Sequence, residues 1–454
     1  MESKGYLKQY MDFHTTYRAK YGPKTVVLMM KGKFYEVNAV INDTMNVGPD
    51  IYEIGELLRF HVTRQNTKIR EVSYKNTLLI GIPVDFFHKH CGALLNGGYT
   101  VIQVDQVTSL PNIEREVVAV HSPGTILEST RVGDSNYLAS VYLDSYHTTQ
   151  YQRVVCVGFS VVDVGTGTNY VHRVQGTEDE DRWSHEVFRL LHTYQPSELL
   201  VHLDEGQGID VSELCQKWSF PLAKTHLNPV SSEHFRKPSF QNEFYRKIYP
   251  ECGLLTPVEA MGLERYPEVI LSHIYMMQFI YEHRVENITL LQKPLWVESE
   301  DHLSLSHNAM YQLNLIDTDQ NSDTYRSLLS LLNTCKTALG RRLFKTSLLN
   351  PIVDSKCLED RYAQVESFQA RVTEDTYLYE RCRTHLGKIR DLERLYRKMS
   401  LGLMHPYEFY SLHQSYMYLE RLVSEIEPVL PDYLEPYRSM RHELQMFRDT
   451  YEAL

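Results

Sequence analysis

The chain reads as a multidomain protein: two mixed α/β domains followed by a mostly α-helical one. Three observations predict this. Up to about residue 255, short apolar runs bounded by Gly, Asn and Pro alternate with helical stretches, the pattern of sheets covered by helices. Beyond that point the apolar period lengthens from two to between three and four. The length of 454 residues, with 43% hydrophobic and 23% charged side chains, gives room for about two to four cores of ordinary globular composition. The expected domains are 1–128, 134–255 and 256–454.

In the first domain the pattern predicts an opening helix from about Tyr6 and a strand over 26–30 that continues into Phe34-Tyr35-Glu36. A basic loop, a strand over 78–80 and a helix over 86–95 follow, and Asn96-Gly97-Gly98 turns the chain into a strand over 100–104. A polar stretch at 129–136 closes the unit. The second domain opens with apolar strands over 138–143 and 154–164, turned by Gly165-Thr166-Gly167 into a returning strand over 169–174. The acidic run 178–181, a helix to about Tyr194 and the strand 198–201 complete it, while 217–250, rich in Pro and aromatic residues, carries no clear period.

Thr256-Pro257-Val258-Glu259 opens the third domain as a capping box with Pro at the first helical position. A long helix is expected from there to about Glu286, interruptible at Pro267, then a short sheet-like piece over 303–315 and further helices over 332–349. In the last helix Tyr437, Met440, Leu444, Phe447, Tyr451 and Leu454 are spaced 3, 4, 3, 4 and 3, the seam of a helix that packs lengthwise on a partner. The expectation is that the chain stops partway along a longer protein.

Several classes are disfavoured. The N-terminus lacks the apolar run of a signal peptide and no stretch approaches the ~20 apolar residues of a membrane helix, so an intracellular protein is expected. The seven cysteines are dispersed and odd in number, without a C-x-x-C pair, and read as reduced thiols. His88, His90 and Cys91 do not share one helix face, so no metal site is expected. A net charge of −11 looks wrong for a phosphate binder, but residues 1–125 hold 14 Lys and Arg against 12 Asp and Glu, leaving −13 on the remainder. Arg59, Arg64, Lys68, Arg70 and Lys75 form a basic patch opposed only by Glu71.

Phe34 and Glu36 stand two residues apart on an expected strand and so share a face, an aromatic wedge beside a hydrogen-bond acceptor. A lone Phe-x-Glu pair is most often a core ring next to a solvated acid. Here Gly32-Lys33-Phe34-Tyr35-Glu36 is followed in order by Gly81-Ile82-Pro83, by Asn96-Gly97-Gly98-Tyr99-Thr100-Val101 and by Ser122-Pro123-Gly124-Thr125. Far downstream stand Gly340-Arg341-Arg342-Leu343-Phe344-Lys345 and Pro351, with Ser347 where a tryptophan is usual. The series resembles the MutS mismatch-repair family. Gly262-Leu263-Glu264-Arg265-Tyr266-Pro267 and Tyr281-Glu282-His283 look closer to its giant-virus and coral-mitochondrial branch.

The resemblance implies a mismatch-recognition domain, an RNase H-like connector and a helical core and lever. It implies that Phe34 enters the minor groove and stacks on a mispaired base of double-stranded DNA while Glu36 hydrogen-bonds that base. Thr63 and Arg64 resemble a backbone-contacting loop, and Lys33, Lys68 and Arg70 join them as candidates. ATP and Mg are implied for an ATPase domain, whose G-x-x-x-x-G-K-[ST] loop does not occur in this sequence, so this chain alone is expected not to be an enzyme. A homodimer through further domains and a MutL-like partner on the connector are also implied. Two alternatives stand beside this reading. One is a related scaffold without mismatch sensing. The other is an actin- or sugar-kinase-like ATPase using the turn Asp163-Val164-Gly165-Thr166-Gly167, which lacks a fitting second turn at Asp204-Glu205-Gly206.

Overall fold

A computed structural model describes residues 2–108, 113–127, 135–148, 153–177, 181–203, 210–230, 233–297, 302–303, 305, 307–315, 327–373 and 376–452. Residues 129–134 of the expected linker, 178–180 of the acidic run, Asp204-Glu205-Gly206 and Leu454 lie outside these. Contacts divide the chain into one compact unit of Met1–Arg131 with Ser135–Val297 and a second that comprises Glu298–Leu454.

The first unit holds two sheets. Helix α1 (Glu2–Tyr21) leads into β1 (Thr25–Lys31), β2 (Phe34–Ile41), β3 (Asn46–Val47), α2 (Ile51–Leu58), β4 (Thr63–Arg64), β5 (Leu78–Pro83), α3 (Phe87–Asn96), β6 (Thr100–Gln106) and β7 (Arg115–His121). The strand order is β4-β5-β2-β1-β6-β7 with β3 on β2; β1 and β6 are parallel and their other neighbours antiparallel. Period-two alternation sets the layers. Val26, Leu28, Val37 and Ile80 face α2 and α3, while Val27, Met29 and Ile102 join Leu7, Tyr10 and Met11 of α1.

The second sheet is built from β8 (Tyr137–His147), β9 (Arg153–Asp163), β10 (Thr168–Thr177), α4 (Arg182–Tyr194), β11 (Glu198–Leu203), α5 (Val211–Lys217), β12 (Thr225–Leu227), α6 (Pro238–Ile248), α7 (Pro257–Ala260), α8 (Pro267–His283) and β13 (Leu295–Trp296). Its order is β12-β11-β8-β9-β10-β13. Val157 and Val161 face Trp183, Val187 and Leu190 of α4; Val162, Tyr142 and Leu200 face Ile270, Ile274 and Met277 of α8. The stretch 217–250, without a clear period in the sequence, supplies an edge strand and α6.

Two expectations about this region are corrected. Residues 257–297 pack with the second sheet, not with the helical domain beginning at 256, because α8 is buried along nearly its whole length against β8 and β9. The long helix is also shorter than expected: it breaks at Pro267, the interruption the sequence allowed, and before that the capping box at Thr256 opens only one turn, after which Gly262 takes φ +67.

The two sheets are joined by polar groups with no slack. Glu198 accepts from Ser122 Oγ at 2.6 Å, from the Gly124 amide at 2.7 Å and from His226 Nε2 at 3.1 Å. Burial works to raise its pKa, but these hydrogen bonds and the His226 charge hold it below the ordinary carboxylate value.

The second unit is helical: α9 (His307–Gln312), α10 (Leu328–Leu332), α11 (Ala338–Leu349), α12 (Ser355–Ser367), the short pair β14 (Arg371–Thr373) and β15 (Thr376–Tyr377), then α13 (Leu378–Leu386), α14 (Leu392–Ser400), α15 (Pro406–Ile426), α16 (Pro431–Leu434) and α17 (Arg438–Glu452). The piece expected to be sheet-like over 303–315 contains α9 instead, because its period-two alternation does not outlast Leu303 and Leu305 and Met310 turns into the core. Arg342 of α11 donates to both Asp391 oxygens, at 2.8 and 2.7 Å, tying α11 to the start of α14. Of the four seam positions whose side chains are described, Leu444 packs with Leu412 and Tyr416, Phe447 meets the Tyr416 ring edge-on at 6.3 Å, and Met440 and, just before α17, Tyr437 stay exposed. Among the described residues no helix is long and apolar enough to cross a membrane.

Candidate nucleic-acid interface

β1 does not run on into the Phe-Tyr-Glu segment as the sequence pattern suggested. It folds back. Lys31 pairs with Phe34, Met30 with Tyr35 and Met29 with Glu36, so Gly32-Lys33 is a two-residue hairpin turn. Gly32 takes φ +63 at the first central position, where a II′ turn demands glycine.

Phe34 is therefore the first residue after a tight turn, and its side chain is 48% exposed. Across β5 it faces Pro83, and its ring leans over Gly81, where an added Cβ would stand 3.7 Å from Phe34 Cδ1. Tyr35 points the opposite way and is 3% exposed. Its hydroxyl donates to Asp105 at 2.6 Å and accepts from Gln103 at 3.0 Å, and its ring meets Phe87 at 4.8 Å. Burial, then the Asp105 hydrogen bond, push the Tyr35 hydroxyl above its ordinary pKa, so it stays neutral and donating. The turn presents Phe34 on a rigid base.

Glu36 shares the Phe34 face, as alternation requires, and lies under the start of α1. Lys31 Nζ sits 3.4 and 3.5 Å from its two carboxylate oxygens and 4.9 Å from the centre of the Tyr6 ring. Arg115 stands over the same ring at 4.9 Å and donates to the Met30 carbonyl at 3.0 Å. Burial, then the Glu36 charge and a hydrogen bond to Glu36, push the Tyr6 hydroxyl well above its ordinary pKa.

The family model described as MutS domain I matches residues 4–130, and that described as MutS domain III matches 308–446. A putative DNA mismatch repair protein, a mutS homolog of Acanthamoeba polyphaga mimivirus, is 32% identical over 451 residues. The chain belongs to the MutS family. A mitochondrial DNA mismatch repair protein, the mutS homolog of Sarcophyton glaucum, is 24% identical over 478 residues, and the DNA mismatch repair protein MutS of Halothermothrix orenii 25% over 361. These alignments take in 92%, 92% and 77% of this chain but only 39%, 46% and 36% of the respective relatives.

Within MutS domain I the other anticipated contacts do not gather at Phe34. Lys33 does, exposed in the turn itself. Thr63 and Arg64 form the edge strand β4 opposite Leu79 and Leu78, at the far end of β5 from Pro83. At a strand rise of ~3.4 Å, Arg64 is offset about 17 Å and Thr63 about 14 Å along β5 from the register of Phe34, on the other side of that strand. Arg64 donates to the Arg70 carbonyl at 3.0 Å, and the buried Asn76 side chain donates to the carbonyls of Ile69 and Glu71, so the loop carrying Lys68 and Arg70 is wound around Asn76 with its basic side chains outward. The residues that do gather here, Tyr6 and Lys31 at Glu36 and Arg115 over the Tyr6 ring, were missed in the sequence. The glycine of the turn was the available signal for Lys31, since a hairpin at Gly32-Lys33 sets it opposite Phe34. Tyr6 and Arg115 arrive from distant elements without a local mark. Among the described residues no group of three His, Cys, Asp or Glu side chains is placed to hold a metal ion.

Proposed function

We propose that this MutS chain binds mismatched double-stranded DNA, with Phe34 as the wedge entering from the minor groove and Glu36 as the acceptor that tests the displaced base. The carrying observation is the contrast within one dipeptide: Phe34 is 48% exposed at a hairpin tip while Tyr35 beside it is locked at 3%. The buried neighbour fixes the exposed ring in place, so that it is free to stack on a base without first being ordered. A mismatch has already lost pairing energy, so unstacking and kinking it costs less than the few kcal/mol per step required in a correct duplex. The minor groove carries little sequence information, so deformability is what such a wedge reads.

The basic loop suits a different task. Arg64, at the start of this loop, is offset ~17 Å along β5, about five base steps at ~3.4 Å each, which suits a grip on the phosphate backbone away from the kink. Lys68, Arg70 and Arg64 would supply affinity that falls with salt, and Phe34 the preference for a mismatch. The second sheet, three antiparallel strands extended by the parallel β11 and β12, supports the reading of an RNase H-like connector.

The test is competition between heteroduplex and homoduplex at two salt concentrations, using protein expressed from its complete natural gene. Phe34→Ala should erase the heteroduplex preference, a loss of ~1–3 kcal/mol as base-aromatic stacking provides, with the salt dependence intact. Glu36→Gln should narrow the spread of affinities among different mismatches more than it changes their mean. An unchanged heteroduplex preference in Phe34→Ala would move the non-sensing scaffold to first place.

A further inference from the structure

Glu36 is an acid placed where an acid is a liability. A carboxylate brought to a groove walled by phosphates is repelled at every site along DNA and rewarded only where a base is displaced. It also has little to hold it on the β5 side, since the residue opposite is Gly81. From the β1 side it does have a partner. Lys31 lies diagonally across the ladder, its amine within 3.5 Å of both carboxylate oxygens and over the Tyr6 ring, whose neutral hydroxyl also hydrogen-bonds Glu36 and leaves Lys31 as the charged partner of the pair. Lys31 stands directly opposite Phe34 in the register, yet its amine is turned toward Glu36 and Tyr6, which leaves the ring open.

We propose that Lys31 is the positioning residue of the probe: straddling the carboxylate, it presets where Glu36 points and makes the group that meets DNA a neutral pair instead of a lone anion. This rests on the role proposed above for Glu36. It assigns Lys31 a task unlike that of a phosphate-gripping lysine such as Lys68. A phosphate contact contributes to the salt dependence of every complex, whereas a lysine committed to Glu36 alters discrimination and leaves the salt slope alone.

The experiment is the same competition, run over a panel of mismatches with Lys31→Met, Lys31→Arg, Glu36→Gln and the double variant Lys31→Met/Glu36→Gln. Lys31 is half exposed in a hairpin, so methionine is accommodated without disturbing the core. Lys31→Met should narrow the spread of affinities about fivefold, the scale of a partly exposed ion pair. The double variant should be no narrower than either single one, because both remove the same pair. Lys31→Arg should restore the spread. A wild-type spread in Lys31→Met, or a salt slope lower by about one with the spread unchanged, would overturn the proposal and make Lys31 a bystander or a phosphate contact. Those outcomes leave Phe34 untouched. A Phe34→Ala protein that keeps its heteroduplex preference would instead remove the reading on which the proposal rests.

Discussion

Asp163 shows a carboxylate in a Gly-Thr-Gly setting serving the backbone. It is 1% exposed, and its two oxygens accept from the Gly165 amide at 2.9 Å and from the Asn136 amide at 3.1 Å. The turn is also shut from outside, because the Leu127 carbonyl stands 2.8 Å from where a Gly165 Cβ would be. A phosphate-binding turn needs open amides and an accessible acid, and here the amide of Gly165 is already engaged. Asp163→Ala should therefore cost stability, about 1–3 kcal/mol for unpaired buried amides, read as a lower urea midpoint. Phosphate release from ATP should sit at background in both proteins; turnover that Asp163→Ala abolishes would revive the kinase-like alternative. At this scale the sequence was readable where chemistry follows period: Phe34 and Glu36 share a face because strands alternate. For Asp163 it gave a hairpin turn with a phosphate-binding turn as the alternative, since a motif records which residues stand in a turn and not what closes over it. The Lys31 contact was equally hidden, because it exists only once the chain reverses at Gly32.

Helix α8 and strand β9 approach each other at one glycine. A Cβ on Gly158 would stand 2.0 Å from the Glu268 carbonyl oxygen and 2.8 Å from the Val269 amide, distances that no side-chain rotation can relieve because the obstacle is backbone. This close seat lets the apolar side of α8 reach Tyr142, Val162 and Leu200 of the sheet. Gly158→Ala must lift the start of α8, and overpacking of that kind costs about 3 kcal/mol, measurable as a fall in melting temperature of the whole first unit. A wild-type melting temperature would mean that α8 is not seated at Gly158. The element itself was legible, because a run of apolar residues after a proline predicts a helix. Its allegiance was not. A helix buried on nearly every side has no polar face to show which neighbour it serves, so α8 was read with the helical residues that follow it, whereas its contacts lie with the sheet that precedes it. The capping box at Thr256 formed as read, since Glu259 returns to the Thr256 amide at 2.9 Å, but one turn later Gly262 ends what the box began.

On the scale of the molecule, the core that joins the two sheets contains histidines that stay neutral. His273 is wholly buried, with Nδ1 at 3.0 Å from the Tyr245 hydroxyl and Nε2 receiving the Asn169 amide at 2.7 Å. His283 donates to the Phe279 carbonyl at 2.7 Å and meets Tyr21 of α1 edge-on at 5.3 Å; His202 stacks on Tyr275 at 3.9 Å. Burial pushes His202 and His273 down to about 3, and burial, partly opposed by Glu198, pushes His283 down to about 4. The unfolded chain titrates these rings near 6.5. The sign follows: well above pH 6.5 neither state binds the protons, and from about pH 7 downward only the unfolded state does, so stability falls as pH drops through 6.5 toward 3. Between pH 6.5 and 5.5 each ring should cost about 1 kcal/mol, about 3 kcal/mol for the three together. Glu198, held below its ordinary value by the hydrogen bonds that tie the sheets, adds a loss of the same sign once pH passes below the unfolded carboxylate range. Urea unfolding at pH 7.5, 6.5 and 5.5 should show a loss of about 1 kcal/mol over the first interval and about three times that over the second. Equal midpoints at 6.5 and 5.5 would mean that these rings accept protons in the folded state, which the packing of His273 between Tyr245 and Asn169 leaves no room to solvate.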